Sequence, residues 1–229
     1  MKTLIVGCER SGTSAVSSLL HLATGKSILD DPEEYWTKYP DIYANNEKFS
    51  VNQWLKLKVN NIVKIPGFAT ILTNLSRMHL GNFKTYYIVR DPRDNVAALL
   101  ERVNQGNAEL FLNTEWLNIK MDNAVEKLAM RWRRYLELAM AYQKNDGDIV
   151  FVRYEDFFDN KINTIKKISK QLNFSFDEKK IFDKIENQFR KSWDNRIRGP
   201  GRWKTDLSAS EVNKIDKICG KLMRIWDYE

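Results

Sequence analysis

Residues 4–14 read Leu-Ile-Val-Gly-Cys-Glu-Arg-Ser-Gly-Thr-Ser, so a short apolar run passes directly into a turn rich in glycine and hydroxyl side chains. Apolar residues then recur at helical spacing, at Val16, Leu19, Leu20 and Leu22. A strand, a tight loop and a helix N-terminus in this order bind phosphate, because free backbone N–H groups and the positive end of the helix dipole face the anion. The stretch therefore predicts the first βα unit of an α/β fold, with an anion site at its loop.

The loop has the Gly-x4-Gly-x-Ser spacing of a P-loop, but Thr13 stands where a P-loop carries lysine. Kinases and hydrolases use that lysine on the β- and γ-phosphates, so nucleoside triphosphate chemistry is the weaker alternative here. The cation of this loop is Arg10, whose guanidinium fork suits phosphate or sulfate oxygens. An ordinary βα turn, in which Ser and Thr only cap the helix, is a second alternative.

The composition is typical of a globular protein, and we predict a single domain over residues 1–229. The formal charge is +7, and the chain has only two cysteines and two histidines, too few for a disulfide framework or a zinc cage. No apolar run reaches the roughly 18 residues of a membrane span. The basic residues are dispersed among acidic ones, unlike a nucleic-acid groove. We expect a cytoplasmic protein that uses no metal and binds neither membrane nor nucleic acid.

Strand-like runs alternate with helical patterns along the whole chain. The strand candidates are residues 3–6, 27–29, 62–65, 85–89 and 149–152. Clear helical stripes follow Asn123 and Ser208, each of which begins a capping box, and further stripes cover residues 162–172 and 181–189. This alternation predicts a P-loop-like three-layer α/β/α fold with a central parallel sheet of about five strands. Residues 40–59 and 104–120 have weak patterns, which favours substrate-facing loops or irregular helices.

Three more polar segments follow strands or lie in loops. Arg90 ends the fourth strand and begins Arg-Asp-Pro-Arg-Asp, in which we interpret Arg93 and Asp94 as a surface ion pair. Tyr154 begins Tyr-Glu-Asp after the fifth strand, and residues 196–204 form a glycine-containing loop with four cations. Ligands of parallel sheets bind beyond the carboxyl ends of the strands, so we expect Arg90 near the first loop.

In this order, the Ser-Gly-Thr loop, Arg-Asp-Pro-Arg-Asp, Tyr-Glu-Asp and Gly-Arg-Trp-Lys resemble the sulfotransferases that use 3′-phosphoadenosine 5′-phosphosulfate (PAPS). The resemblance implies that residues of the first loop hold the 5′-phosphosulfate, with Arg10 neutralising charge on the leaving phosphate. It implies that Arg90 and the basic loop bind the 3′-phosphate, with Tyr154 near adenine. The implied donor-site residues are Arg10, Ser11, Gly12, Thr13, Ser14, Arg90, Tyr154, Arg196, Arg198, Gly201, Arg202, Trp203 and Lys204.

The resemblance also implies that Lys64 faces the transferred sulfuryl group, whereas the general base is less clear from the motifs. Pro66 stands where many members carry a catalytic histidine, and the nearest acidic candidates are Glu33 and Glu34, which also read as ordinary acids of a helical first turn. Ala98 stands where the family usually has a serine for the 3′-phosphate.

The implied reaction moves a sulfuryl group from PAPS to a hydroxyl or amine and releases adenosine 3′,5′-bisphosphate (PAP). The acceptor is a small molecule, glycan or peptide. The aromatic residues of segments 35–49 and 104–120 form either its pocket or part of the core: Tyr35, Trp36, Tyr39, Tyr43, Phe111 and Trp116. Two other functions stay open: a nucleotide kinase or hydrolase, and a non-catalytic nucleotide-binding relative. The sequence does not indicate an oligomeric state.

Overall fold

A computed structural model describes residues 2–78, 83–184 and 199–228. Its centre is a parallel sheet of five strands in the order β2-β3-β1-β4-β5. The strands are β1 (Lys2–Val6), β2 (Ile28–Asp30), β3 (Ile62–Lys64), β4 (Phe83–Val89) and β5 (Ile149–Arg153). All five predicted strands are confirmed, and so is the predicted fold class.

The strand order brings the segments after β1, β3 and β4 together. Residue Leu4 of β1 lies beside Val63 of β3 on one side and Thr85 of β4 on the other. The chain after β1 crosses to the β2 side of the sheet, whereas the chain after β3 crosses back to β4. The carboxyl end of β1 is therefore the switch point, where parallel sheets of this kind bind ligands.

Twelve α-helices surround the sheet in the described part of the chain. They are α1 (Thr13–Thr24), α2 (Lys38–Asn45), α3 (Val51–Val59), α4 (Leu72–Arg77), α5 (Pro92–Arg102), α6 (Ala108–Leu112), α7 (Ala124–Lys144), α8 (Tyr154–Asp159), α9 (Lys161–Gln171), α10 (Glu178–Lys184), α11 (Trp203–Asp206) and α12 (Ala209–Ile225).

Alternate strand residues enter two separate cores, which define the three layers. On one face, Ile5 and Ile88 pack with apolar residues of α1, α8 and α9. On the other face, Val6 and Val89 pack with the larger core built from α2, α5, α7 and α12. Trp132 on α7 is almost fully buried in that larger core. The loop after β1 lies between the two layers of helices at the sheet edge.

The capping signals position the two longest helices. Asn123 accepts a hydrogen bond from the N–H of Glu126, and Ser208 forms a complete capping box with Glu211. The predicted stripe of residues 181–189 is only partly visible, because Ile185 and Phe189 lie outside the described residues. No helix of the described residues is both long enough and apolar enough to cross a membrane.

The two weakly patterned segments are helical. Residues 40–59 belong mainly to α2 and α3, and residues 104–120 contain a π-helical turn, α6 and a 3₁₀ turn. The aromatic residues of 35–49 and 104–120 divide between the two alternatives: Tyr35, Tyr39 and Phe111 are buried core residues, whereas Trp36, Tyr43 and Trp116 stay partly exposed. In the second segment, Gly106, at φ 96°, interrupts the helical periodicity.

Candidate active site

The loop after β1 has the geometry of an anion site. Arg10 and Gly12 both have left-handed backbone conformations, with φ 67° and 99°. The N–H of Ser11 is turned back onto the carbonyl of Cys8 at 3.1 Å. Helix α1 then begins at Thr13 with glycine as its N-cap and no side-chain cap. The N–H groups of Thr13 and Ser14 have no acceptor among the described residues, so they are free for an anion, whereas that of Ala15 donates to the carbonyl of Gly12 at 3.0 Å.

Tyr154 covers this loop from the β5 side. Gly12 lies directly against its ring, and a Cβ at Gly12 would overlap the ring carbons. The guanidinium of Arg90 stacks on the same ring at 4.7 Å from its centroid and donates to the carbonyl of Arg10 at 3.0 Å. The ends of β1, β4 and β5 are thereby packed into one site, as expected from the sequence.

Arg90 has unused hydrogen-bonding capacity. Its Nε and Nη2 atoms are buried and have no hydrogen-bond partner among the described residues. The nearest carboxylate oxygen, on Asp94, is 3.8 Å from Nη2, beyond hydrogen-bonding distance. A buried donor without a partner is costly, so this site fits a bound anion.

Several arginines act on Arg10 in this loop. Partial burial and the nearby charges of Arg102 and Arg90 lower the pKa of the Arg10 guanidinium, Glu101 opposes this shift, and Arg202 adds a smaller lowering. Arginines repel one another in this way only where the fold gathers them, and a bound anion would relieve the repulsion. The electrostatics therefore favour a multiply charged anion at the end of β1.

Asp94 fixes the Gly-Arg-Trp-Lys segment to this site. Its carboxylate accepts hydrogen bonds from the N–H of Gly201 at 2.7 Å and of Trp203 at 3.0 Å. Arg93 forms a bidentate pair with Asp91 and stacks on the Trp203 ring at 4.3 Å. The interpretation of Arg93 and Asp94 as a surface ion pair is therefore wrong: both are buried, and both hold backbone or ring groups in place.

Lys64 ends β3 on the opposite side of the loop, where it pairs with two carboxylates. Its ammonium group is 3.2 Å from Asp30 and 3.1 Å from Asp31, and only 7% of its side chain is exposed. Asp31 also accepts from the indole N–H of Trp36 at 3.1 Å. The pairing follows from the parallel register, in which Asp30 is the direct neighbour of Lys64.

Asp31 has the properties expected of a general base. It stands just beyond β2 with a left-handed backbone at φ 48°, which turns the chain at the sheet edge. Burial raises its pKa, although Lys64 and Trp36 oppose that shift. A carboxylate of raised pKa, held at a ligand-binding edge, is a candidate for proton transfer. Sequence reasoning missed Asp31, although two consecutive aspartates at a strand end were the available signal.

Glu33 and Glu34, the predicted base candidates, lie on an exposed 3₁₀ turn. Glu34 forms a surface ion pair with Lys56 at 2.8 Å. Asp31 is therefore a stronger candidate for the general base than Glu33 or Glu34, because its carboxylate contacts Lys64 directly.

The comparisons with known proteins agree with this geometry. The family model of the sulfotransferase domain matches residues 1–227. The chain belongs to the sulfotransferase family. Among curated protein sequences, none is significantly similar to this sulfotransferase.

Solved sulfotransferase structures share the fold. Mouse sulfotransferase SULT7A1, complexed with PAP, superposes with a TM-score of 0.62 at 15% identity over 97% of this chain and 84% of its own. Sulfotransferase STF9 from Mycobacterium avium gives 0.59 at 12% identity, covering 100% of this chain and 77% of its own. The sulfotransferase domain from the curacin biosynthetic pathway gives 0.56 at 14% identity, covering 100% and 99%. Family membership makes this chain a sulfuryl transferase and does not favour the kinase or hydrolase alternative.

The remaining cationic residues predicted for the donor site differ in whether protein carboxylates already pair with them. Arg202 is bound by Asp206 at 2.6 Å and Glu101 at 2.9 Å, so two carboxylates already neutralise it. Lys204 is exposed, 5.7 Å from the Trp203 ring centroid. Arg196 and Arg198 lie outside the described residues. Within the described residues, Arg10 and Arg90 are therefore the strongest cationic candidates for the donor.

The other residues of the first loop are arranged at different depths. Ser11 and Thr13 are buried, and the hydroxyl of Ser11 points towards Gly7 below the loop with no hydrogen-bond partner among the described residues. Ser14 is exposed at the first turn of α1.

Ala98, which stands at the family's usual serine position, is buried in α5. Among the described residues, no three His, Cys, Asp or Glu side chains form a group that could hold a metal ion.

Proposed function

We propose that this sulfotransferase moves a sulfuryl group from PAPS to a hydroxyl or amine acceptor and releases PAP. The observation that carries the proposal is the position of Arg90. Two of its buried nitrogens have no hydrogen-bond partner among the described residues, and they lie beside an uncapped helix N-terminus and Arg10. PAPS has two separate anionic groups, and this cluster offers two kinds of hydrogen-bond donor for an anion. Free N–H groups suit the phosphosulfate, and Arg90 suits the 3′-phosphate.

In this proposal, the protein binds the donor at both its 5′-phosphosulfate and its 3′-phosphate. The N–H groups and hydroxyls of the first loop bind the 5′-phosphosulfate, and Arg10 supplies the positive charge for the leaving phosphate. Arg90 binds the 3′-phosphate, and Arg196 and Arg198 are further candidates from the sequence. Asp94 fixes the neighbouring Gly-Arg-Trp-Lys segment through Gly201 and Trp203. Tyr154, whose ring contacts both Gly12 and Arg90, is assigned to adenine on the family resemblance.

Asp31 acts as the general base in this mechanism, and Lys64 orients it. The acceptor oxygen or nitrogen attacks sulfur, the bond between sulfur and the bridging phosphate oxygen breaks, and the acceptor's proton passes to an Asp31 carboxylate oxygen. PAP leaves with the electron pair of the broken bond, and Arg10 offsets its charge. Lys64 holds Asp31 at 3.1 Å, and because Asp30 and Asp31 already offset its charge, we assign it this orienting role rather than a contact with the sulfuryl oxygens.

The acceptor belongs on the β2 side of the loop, next to partly exposed aromatic rings. Trp36 contacts Asp31 directly, and Tyr43 packs edge-on against Trp116 at 5.6 Å between ring centroids. Such rings suit a flat or sugar-like acceptor that presents one hydroxyl or amine to Asp31. The acceptor class is a small molecule, glycan or peptide, and we place the protein in the cytoplasm.

The test combines binding and turnover. Calorimetry should detect PAP binding without metal, and radiolabelled PAPS should transfer label to a member of a library of phenols, sugars, amines and tyrosine peptides. Mg²⁺-dependent hydrolysis of ATP without PAP binding would support the kinase or hydrolase alternative instead. PAP binding without transfer to any library member would favour a non-catalytic relative.

A further inference from the structure

Glu9, the residue before Arg10, has a carboxylate that turns into the protein. Its Oε1 atom accepts hydrogen bonds from Tyr39 at 3.1 Å, Tyr135 at 2.9 Å and Arg131 at 2.9 Å. Its Oε2 atom accepts a second bond from Arg131, at 3.1 Å from Nε. The carboxylate is therefore fully coordinated by two tyrosines and one arginine from α2 and α7.

The charges of this cluster are buried. The side chain of Arg131 is 1% exposed and that of Glu9 is 15% exposed. Burial alone would raise the pKa of Glu9, but the charge and hydrogen bonds of Arg131 lower it below its ordinary value, and Glu9 in turn raises the pKa of Arg131. The pair is ionised at neutral pH. Apolar replacements of a buried ion pair are often at least as stable, so stability alone does not explain the pair.

The backbone of Glu9 is fixed from the donor side. Its carbonyl accepts from the side chain of Asn95 at 2.7 Å, and the next carbonyl, of Arg10, accepts from Arg90 at 3.0 Å. Asn95 follows Asp94 at the start of α5. The donor-binding segments after β4 therefore hold the main chain of the loop, whereas its one inward-facing carboxylate contacts the opposite side.

Tyr39 connects this carboxylate to the acceptor side. Its ring lies so close to Gly67 that a Cβ there would overlap it. Gly67 follows Pro66, whose carbonyl accepts from the N–H of Gly7 at 3.4 Å, and both belong to the segment that leaves β3 after Lys64. Tyr39 also meets Trp116 edge-on at 5.6 Å between centroids. Tyr39, Gly67 and Trp116 thus form a wall beside the proposed acceptor, which we call the acceptor wall. A single oxygen of Glu9 connects this wall to the donor loop through Tyr39.

We propose that Glu9 is a positioning residue for sulfuryl transfer, whose carboxylate aligns the acceptor wall through Tyr39 with the loop that carries Arg10. This inference rests on the proposed function, because it assigns the two sides of the loop to donor and acceptor. The Glu9 carboxylate binds Tyr39, Arg131 and Tyr135, so we assign it no direct contact with the donor or the acceptor. Its loss should therefore change the rate of transfer and the acceptor KM more than it changes the affinity for PAP.

The two tyrosines provide a matched pair of variants. Tyr39→Phe and Tyr135→Phe each remove one hydroxyl from the same Glu9 oxygen, but only Tyr39 packs on Gly67, whereas the Tyr135 hydroxyl also accepts from Arg131 at 3.1 Å. We expect Tyr39→Phe to lower kcat/KM for the acceptor about tenfold, with PAP affinity changed less than about threefold. Tyr135→Phe should have a clearly smaller effect on kcat/KM. Equal effects of the two variants would contradict a path through Tyr39.

The decisive experiment separates positioning from stability. Glu9→Gln leaves Arg131 as an unpaired buried cation and should lose both stability and transfer, whereas Glu9→Gln combined with Arg131→Met removes both charges and should recover thermal stability. We expect the double variant to bind PAP within about threefold of the wild type but to transfer at least tenfold more slowly. A double variant that recovers both stability and rate would show a purely structural pair. If the wild type itself neither binds PAP nor transfers sulfuryl groups, the proposed function fails and this inference fails with it.

Discussion

The carboxylate of Asp94 holds the backbone N–H of Trp203 at 3.0 Å, across 109 positions of sequence. A second oxygen of the same carboxylate holds Gly201 at 2.7 Å. The Gly-Arg-Trp-Lys segment therefore owes its place beside the anion loop to one buried side chain at the start of α5. In the proposed function, Asp94 shapes the donor site without contacting the donor.

Asp94→Asn should weaken PAP binding because an amide can accept only one of these two hydrogen bonds. A lost hydrogen bond to a charged group costs about 1.5 to 3 kcal/mol, so we expect a loss in affinity of roughly tenfold or more. Glu101→Gln is the matched control, since it removes an acidic partner of Arg202 at an exposed position. PAP titration by calorimetry checks both, and unchanged binding in Asp94→Asn would show that the loop is held by other contacts.

Arg10→Ala should reduce sulfuryl transfer at least roughly tenfold while leaving the fold intact. The change removes a charge-assisted contact worth about 1.5 to 3 kcal/mol from a loop at the sheet edge. Single-turnover transfer of labelled sulfuryl groups measures the effect, with circular dichroism as the control for folding. If rate and donor affinity both equal those of the wild type, Arg10 does not act at the phosphosulfate.

Asp31→Asn should abolish transfer and preserve PAP binding, because an amide cannot accept the acceptor's proton. Glu33→Gln and Glu34→Gln are the controls, and they should keep most of the activity because their side chains lie on an exposed turn. The opposite pattern, with activity lost in a glutamate variant and kept in Asp31→Asn, would show that the general base is Glu33 or Glu34 instead of Asp31.

The pH dependence follows from the raised pKa of Asp31. Transfer needs the ionised carboxylate, so the rate should fall as the pH drops through this pKa. Because burial raises the pKa, the acid limb of kcat/KM should lie above the value of about 3.9 that is typical of aspartate. A rate that stays constant down to about pH 4 would argue against Asp31 as the base.

Gly12→Ala should disrupt the loop, whereas Gly25→Ala should only destabilise the protein modestly. Both glycines have left-handed φ values, of 99° and 64°, but only a Cβ at Gly12 would overlap a neighbour, the ring of Tyr154. The backbone term alone costs about 1 to 2 kcal/mol. Thermal unfolding with and without PAP checks the pair: stabilisation by PAP should persist in Gly25→Ala and disappear in Gly12→Ala.

The sheet and its edge could be predicted from sequence because they depend on local patterns. Five apolar runs, the loop at residues 7–14 and the strand-end residues Arg90 and Tyr154 all have signals within about ten residues. The roles of Asp94 and Glu9 could not be predicted, because Gly201 and Arg131, which they bind, are 107 and 122 positions away, and even Tyr39 is 30 positions from Glu9. These partners meet only after the helices pack. Asp31 is intermediate, because its contact with Lys64 depends on the pairing of β2 with β3.

The most direct test of the donor is the recognition of the 3′-phosphate. Calorimetry should compare PAP with adenosine 5′-monophosphate for the wild type and for Arg90→Ala, since two buried nitrogens of Arg90 have no hydrogen-bond partner in the part of the chain that the structure describes. One charge-assisted contact corresponds to about tenfold in affinity, so the wild type should bind PAP at least tenfold more tightly. Arg90→Ala should remove most of that difference. Equal affinities of the wild type for the two nucleotides would contradict a 3′-phosphate site, and with it PAPS as the donor.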